Sequence, residues 1–183
     1  MAYLARFLGL IAAFCAGGAA AEPHRISVRT DLTIVQAAQP GRPSCGMIAP
    51  EDAQGALAET NALRRAHGLA PLRVNRALSL SAANHACEMA ARGLMTHEGL
   101  NGSGPGQRAR QAGLSPAMTA ENIAAGPFNR ERVVMEWARS AGHRGNILIP
   151  QMREFGIGSA LASDGRTVFW AAVYAAPGGR RGR

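Results

Sequence analysis

The chain has 183 residues, of which 47% are hydrophobic and only 5% aromatic, and a formal net charge of +8. This length and apolar content predict one compact domain with some additional tail. All 20 basic residues are arginine, and they are scattered rather than clustered with aromatic residues. The composition therefore argues against a nucleic-acid-binding protein. A GC-rich coding sequence explains the arginines, and a surface that binds acidic or phosphate groups is the alternative.

The first residues have the features of an export signal. A single Arg is followed by a short apolar run and, at 19–21, by an A-x-A cleavage site. The run is too short to span a membrane, and Phe14 directly before Cys15 argues against lipidation. The sequence predicts a signal peptide over 1–21 and a secreted or periplasmic protein that begins near Glu22, without a stable membrane span. An uncleaved anchor is the alternative.

Removal of this segment would leave two cysteines, Cys45 and Cys87. Two cysteines in an oxidising compartment predict one disulfide bond. The alternative is that Cys87, which lies two residues after His85, is a catalytic thiolate. The disulfide is the favoured interpretation, because an exported chain offers Cys87 one partner.

Helix signals begin after an N-terminal arm or linker at 22–50, which is rich in Pro and Gly towards its end. Acidic residues in the first turn, basic residues in the last turn and Gly68 as a stop predict a helix from Pro50. A second helix is predicted between Asn75 as its N-cap and Gly93 as its end.

The second half of the domain combines shorter helices with strands. A short helix is predicted at 107–113, and the chain from there to Glu121 is predicted as a loop. Asn129 caps a third long helix, and the Gly-flanked segment around His143 is interpreted as a turn. Two strand-like runs joined by Asp-Gly at 164–165 predict an antiparallel hairpin. Helices followed by a hairpin predict an α+β fold.

The five histidines are the first candidates for site residues. His97 and His143 each lie in a Gly-containing loop beyond a helix, where functional residues often collect. His85 lies on the apolar stripe of the second helix, so we expect a hydrogen-bonded core position. His24 and His67 are predicted to be solvated. Zinc-protease, serine-hydrolase and dinucleotide-binding motifs are incomplete.

The motifs "THEG", "ENIAAG", "VVMEWARSAGHRGNIL" and "FGIGSA" follow one another along the chain. This ordered set resembles the CAP superfamily, which includes cysteine-rich secretory proteins, antigen 5 and plant pathogenesis-related proteins. The similarity is greatest to the bacterial-type SCP domain. It implies a three-layer α-β-α sandwich with a cleft between helices and sheet. The domain would cover 51–176, followed by a basic disordered tail at 177–183.

In this family two His and two acids can face the cleft, and the resemblance implies that His97, Glu121 and His143 supply three of them. The position of the second acid is Ser140 here, and Arg144 is another neighbour of the cleft. Two imidazoles and one carboxylate match a catalytic zinc ligand set with an open position for water. The alternative is a hydrogen-bonded cluster without metal, which Arg144 and the loss of the acid favour.

Three functional hypotheses follow. The first is an exported, non-enzymatic domain that binds a lipid, a peptide or another ligand in the cleft. The second is a metal-assisted hydrolase, with Zn as cofactor at His97, Glu121 and His143, in which Glu121 would be the general base. The third is a structural or surface-interaction protein whose histidine cluster provides stability. His85 is predicted to take no part in a metal site.

Overall fold

The computed structural model describes residues 34–178. The predicted signal peptide at 1–21, the first part of the arm at 22–33 and most of the predicted tail, 179–183, lie outside the described residues. In the part that is described, no helix is long and apolar enough to cross a membrane.

Helices and strands are interspersed along the described residues. The helices are α1 (Pro50–Ala66), α2 (Arg76–Arg92), α3 (Pro105–Gln111), α4 (Arg130–Arg139) and α5 (Ala141–Ile147). The strands are β1 (Val35–Gln36), β2 (Ser44–Cys45), β3 (Arg73–Val74), β4 (Leu94–Met95), β5 (Met118–Gly126), β6 (Glu154–Leu161) and β7 (Val168–Ala176). This mixture of helices and antiparallel strands confirms the α+β class.

The long helices begin and end where the sequence predicts. The Asn75 side chain accepts hydrogen bonds from N–H groups in the first turn of α2, and Gly93 ends that helix with a φ of 67°. Asn129 caps α4 in the same way. These ends are determined by short-range hydrogen bonds and by the tolerance of Gly for positive φ, so local sequence is sufficient to predict them.

The main sheet has the strand order β2-β6-β7-β5, and β3 adds to β6 in parallel. Strands β6 and β7 pair antiparallel from Glu154↔Ala175 to Leu161↔Val168, which confirms the predicted hairpin. Gly165 in its turn has a φ of 67°. Strand β5 pairs with β7 along its whole length and forms one edge of the sheet.

Helices cover both faces of this sheet. One face is packed by α2 and α3, whose buried apolar residues are Leu78, Ala82, Ala83, Ala86, Met89, Ala90 and Ala109. The other face is packed by α1, α4 and α5, whose buried apolar residues are Ala56, Val133, Val134, Trp137 and Ile147. The structure therefore confirms the three-layer α-β-α sandwich.

Two glycines in β6 allow α2 to approach the sheet closely. A Cβ atom at Gly156 would collide with the backbone of Leu78 and Ser79, and one at Gly158 would collide with the backbone of Ala83. The helix therefore packs directly on the strand backbone. Close packing of Gly and Ala thus forms a dense layer in a chain with few aromatic residues.

The end of the predicted arm is an integral part of the domain rather than a linker. Strand β1 pairs with β4, and β2 pairs with β6 in the main sheet. Cys45 in β2 forms a disulfide with Cys87 in α2, and their Cα atoms are 5.5 Å apart. The disulfide prediction is confirmed, and the thiolate alternative for Cys87 is wrong. Strand β2 was missed because it has only two residues and lies between Pro43 and Gly46.

Two local predictions are wrong. The segment that ends the predicted loop before Glu121 belongs to β5, and the segment around His143 forms α5 rather than a turn. Strand β5 was missed because Ala and polar residues give "MTAENIAAG" little strand propensity. Helix α5 was missed because it has seven residues, two of them Gly, and depends on tertiary contacts.

Candidate functional site at the edge of the sheet

Edge strand β5 presents consecutive polar residues to opposite faces of the sheet. Ile123 belongs to the core on the α2 face, and Glu121 lies two positions before it, on the same face. Asn122 lies between them and contacts Tyr174, which belongs to the core on the α1 face. The strand therefore connects both helical layers at this edge.

Both oxygens of the Glu121 carboxylate have a partner. His97 donates from Nδ1 to Oε1 over 2.9 Å, and Arg108 donates from Nη2 to Oε2 over 2.6 Å. The Glu121 side chain is only 1% exposed. Burial alone would raise the pKa of Glu121, but the His97 hydrogen bond and the charges of its neighbours, Arg108 among them, lower it below its ordinary value. Glu121 is therefore held as a carboxylate.

The hydrogen bond to Glu121 fixes the tautomer of a neutral His97. An ionised carboxylate only accepts hydrogen bonds, so Nδ1 of His97 carries the proton and Nε2 keeps its lone pair. The His97 side chain is 39% exposed. Its Nε2 atom is therefore the atom that can meet a ligand.

Arg108 is a site residue that the sequence analysis missed. It lies in α3 and is 6% exposed. Besides Glu121, its guanidinium binds the carbonyl oxygens of His97, at 3.0 Å, and Ser103. One side chain thus joins α3, β5 and the segment of His97. Arg108 is one of many scattered arginines, and its local sequence does not distinguish it. Its role depends on partners that come from other parts of the chain.

Two asparagines hold α5 against β5. Asn122 is fully buried and donates to the carbonyl oxygen of His143 over 3.1 Å. Asn146 donates to Asn122 Oδ1 over 2.9 Å and to the Glu121 carbonyl oxygen over 3.0 Å. These bonds place His143 beside the middle of β5. Asn122 lies in the motif "ENIAAG" and Asn146 in the segment "GHRGN". The sequence signal that could have identified Asn122 was its place as a polar residue between Glu121 and an apolar position.

The His143 side chain is half-buried and lies near His97. Burial lowers the pKa of His143, and the nearby His97 lowers it further. Within residues 34–178 the His143 ring makes no hydrogen bond or ion pair with Glu121. The structure therefore brings His97 and Glu121 into direct contact and leaves His143 as a separate neighbour.

The other predicted residues of this region lie on or between helices α4 and α5. Ser140 separates α4 from α5, and Arg144 is exposed. Trp137 is 2% exposed and donates from Nε1 to the carbonyl oxygen of Ile123 over 3.2 Å. This bond anchors α4 on β5.

His85 has the predicted hydrogen-bonded core position, but it lies nearer to the site than that prediction implies. It is fully buried, and its Nε2 lies 2.9 Å from the carbonyl oxygen of Thr96. The same atom lies 3.8 Å from Glu121 Oε1. Burial lowers the pKa of His85 and keeps the ring neutral. His85 thus forms part of the buried surroundings of the carboxylate.

The side chains do not fit the predicted three-ligand zinc site. Among residues 34–178, no group of three or more His, Cys, Asp or Glu side chains is arranged to hold a metal ion. Glu121 is paired with Arg108 at 2.6 Å, and this guanidinium would also repel a cation bound to the same carboxylate. Metal ligation by Glu121 would require this buried ion pair to break.

Sequence comparisons place the chain among proteins with this fold. The family model of the cysteine-rich secretory protein family, CAP, matches residues 57–174. The uncharacterized protein YkwD of Bacillus subtilis is 36% identical over 99 residues, which is 54% of this chain and 38% of YkwD. This chain therefore spans well under half the length of YkwD.

Solved structures of bacterial proteins share the fold. An outer surface protein of Borrelia burgdorferi is 24% identical with a TM-score of 0.63, over 70% of this chain and 95% of that protein. An extracellular SCP-domain protein of Bacillus anthracis is 23% identical with a TM-score of 0.60, over 71% of this chain and 44% of that one. Because the family model matches more than half of its residues, this chain belongs to the cysteine-rich secretory protein (CAP) family.

Proposed function

We propose that this protein is an exported CAP domain that binds a ligand at the cleft beside Glu121 without transforming it chemically. One observation carries this proposal: both oxygens of the Glu121 carboxylate are occupied, by His97 and by Arg108. A general base must accept a proton from water or substrate, and its pKa should lie near the working pH. A buried carboxylate with a lowered pKa meets neither condition.

A ligand in this cleft would meet two imidazoles. His97 offers the lone pair of Nε2, and the lowered pKa of His143 keeps that ring neutral near pH 7. Neutral imidazoles both donate and accept hydrogen bonds. A polar ligand such as a peptide, with its amide and carbonyl groups, suits this pair.

A lipid suits the cleft less well. A groove of about 540 Å³ lies elsewhere, with Met47, Ile48 and Pro50 among its mainly apolar lining. Neither His97 nor His143 lines that groove. A lipid tail held there would not contact the imidazoles, so a peptide is the favoured ligand of the cleft.

Export belongs to the same proposal. The apolar segment and cleavage pattern at 1–21 support it, and so does the disulfide between Cys45 and Cys87, a bond that persists in oxidising compartments. Mass spectrometry of the protein recovered from periplasm or medium should give an N-terminus near Glu22. A full-length chain confined to the cytoplasm would overturn this part of the proposal.

A divalent cation on the two imidazoles is the second candidate. The observation in its favour is the His97–Glu121 hydrogen bond, because carboxylates commonly fix the tautomer of a metal-ligating His in this way. Glu121 would then orient His97 rather than ligate. Two imidazoles favour Zn or Cu over Ca, and such a site should bind modestly. The metal-assisted hydrolase would need Glu121 as its base, which the pair with Arg108 opposes.

Calorimetric titration can separate these candidates. We expect a pool of short peptides to release or take up heat with the wild type, and both His97→Ala and His143→Ala to lose the signal. His67→Ala is the matched control, since His67 is an exposed histidine at the end of α1. If ZnCl₂ gives heat that is lost in His97→Ala and His143→Ala, and the peptides give none, the ligand of the cleft is a cation and not a peptide.

An enzymatic assay tests the non-enzymatic part of the proposal. Peptide and ester substrates incubated with the protein and ZnCl₂ should stay intact. Hydrolysis that disappears in both His97→Ala and Glu121→Gln would contradict a pure binding function, and would show that Glu121 leaves Arg108 during the reaction.

A further inference from the structure

A second polar pocket lies beside Arg108 and is separate from the histidine cleft. It has a volume of about 220 Å³ and is formed by α2, α3 and the loop that contains Asn101 and Ser103. None of the cleft residues His97, Glu121 and His143 lines it. Only Arg108 belongs to both places, because its Nη atoms bind the cleft elements while its side chain also lines the pocket.

Two residues that line this pocket each carry a buried polar atom with no hydrogen-bond partner among the described residues. These atoms are Nε of Arg108 and Oγ of Ser81, in residues that are 6% and 5% exposed. Nearly all buried polar groups in native proteins are hydrogen-bonded, and an unpaired one lowers stability. Their occurrence in two residues of one pocket indicates a ligand that accepts from the guanidinium and exchanges a hydrogen bond with the hydroxyl.

The charges around the pocket favour a neutral ligand. The positive charge of Arg108 is already neutralised by Glu121 at 2.6 Å. The carboxylate of Glu88 also lines the pocket, and one of its oxygens accepts a hydrogen bond from the N–H of Leu100. An anionic ligand would face Glu88 without an unpaired cation to offset it, so a phosphate or carboxylate group is disfavoured.

The remaining lining residues suit a hydroxylated ring. Asn84 and Gln111 each contribute an amide that can donate and accept, as sugar hydroxyls also do. Leu80, which is 48% exposed, and Ala112 provide apolar surface for the C–H face of a ring. The volume is below that of a pocket for a drug-sized molecule and admits a single six-membered ring.

We propose that this pocket binds one pyranose ring of a neutral sugar. Arg108 Nε donates to a ring substituent, Ser81 exchanges a hydrogen bond with a second hydroxyl, and Glu88 accepts from a third. The proposal goes beyond the function of the cleft and does not rest on it, because the cleft can bind a peptide, a cation or nothing without changing the lining of the pocket.

An NMR titration of the oxidised protein tests the pocket, with D-glucose and N-acetyl-D-glucosamine as probes. We expect at least one sugar to shift the Nε–H resonance of Arg108 and the side-chain amide resonances of Asn84 and Gln111. A single ring makes few contacts, so the Kd should be on the order of 1 mM. Cyclohexanol is the control ligand: it has a similar ring with one hydroxyl and should leave these resonances unchanged.

Substitution of Ser81 gives a second readout that separates ligand binding from folding. Ser81→Ala should weaken sugar binding about tenfold, because one hydrogen bond to the ligand is lost. It should also raise the thermal midpoint of the ligand-free protein, because an unpaired buried hydroxyl is removed. Ser79→Ala is the matched control: Ser79 is buried in the same helix, but its Oγ donates to the carbonyl oxygen of Asn75 over 3.3 Å.

The proposal is overturned by any of three results. Neither sugar shifts the pocket resonances at about 50 mM, well above the expected Kd. Ser79→Ala weakens binding as much as Ser81→Ala. The sugars shift only resonances outside the pocket, such as those of His97 and His143.

Discussion

The side-chain amides of Asn122 and Asn146 are joined by a hydrogen bond of 2.9 Å, and this bond fixes α5 to the edge of the sheet. Asn122 is fully buried, and its amide nitrogen lies 3.1 Å from the carbonyl oxygen of His143. A seven-residue helix with two glycines has little stability of its own. The position of His143 therefore depends on side chains rather than on the helix itself.

Asn146→Ala should loosen α5 while the rest of the domain stays folded. The substitution leaves Oδ1 of buried Asn122 without its donor, which costs about 1–3 kcal/mol. Hydrogen exchange of the amides in 141–147 should accelerate, and that of α2 should not. Arg144→Ala, an exposed change in the same helix, is the control. Equal acceleration in both variants would show that the asparagine pair does not hold the helix.

Arg108→Met should destabilise the protein strongly. It leaves the Glu121 carboxylate buried without its cation, and breaking a buried pair from one side costs about 3–5 kcal/mol. The double variant Arg108→Met/Glu121→Gln removes the unpaired charge as well and should recover part of this loss. Urea unfolding measures all three proteins, with Arg110→Met, an exposed change in α3, as the control. No recovery in the double variant would assign the loss to packing rather than to charge.

Acidification from neutral pH should lower stability in two stages. Burial depresses the pKa of His85 and His143 below 6.5, so below that pH the unfolded chain takes up protons that the folded protein does not. The contribution of these two histidines to the free energy of unfolding is fully present above pH 6.5 and decreases below that pH. The lowered pKa of Glu121 adds a second decline below about pH 4.5.

Urea unfolding across this pH range checks the assignment. His85→Gln should make the first decline shallower, since one of the two depressed histidines is gone. His67→Gln, at an exposed position, should leave the profile unchanged. Stability that rises on acidification from pH 7 to pH 5 would contradict the buried, neutral state of His85.

Reduction of the disulfide should destabilise the domain by about 3–4 kcal/mol on the chain-entropy model. Cys45 and Cys87 are 42 positions apart, so the bond closes a long loop in the unfolded chain. Strand β2 has only two residues and should be the first element to detach. Thermal unfolding with and without reductant measures the loss, and Cys45→Ser/Cys87→Ser controls for side reactions of free thiols. An unchanged midpoint would show that the bond contributes nothing to stability.

Sequence predicted the parts of the fold that local interactions determine. Asn75 and Asn129 cap helices through hydrogen bonds within one turn, and the turn containing Gly165 lies between two strands that pair directly. Strand β5 and helix α5 depend on partners distant in sequence, namely β7 and Asn122. Their own residues have weak propensities, so no local pattern could identify them.

The candidate site was predicted only in part, for the same reason. His97 and His143 were identified by their Gly-containing surroundings and by the family resemblance. Arg108 was not identified, because its importance arises from the partners His97, Ser103 and Glu121, which meet only in the folded chain. Without Arg108, only Arg144 and the missing second acid at Ser140 argued against a role for Glu121 as a metal ligand.

The two glycines of β6 affect more than the core. Because Gly156 and Gly158 hold α2 on the strand backbone, the height of this helix above the sheet is determined by the lack of a methyl group. The same helix carries Ser81 of the polar pocket, His85 beside the carboxylate and Cys87 of the disulfide. A methyl group at Gly158 would push α2 away from the sheet, and Ser81, His85 and Cys87 would move with it. The distance between α2 and β6 therefore determines the positions of the pocket, the cleft and the disulfide together.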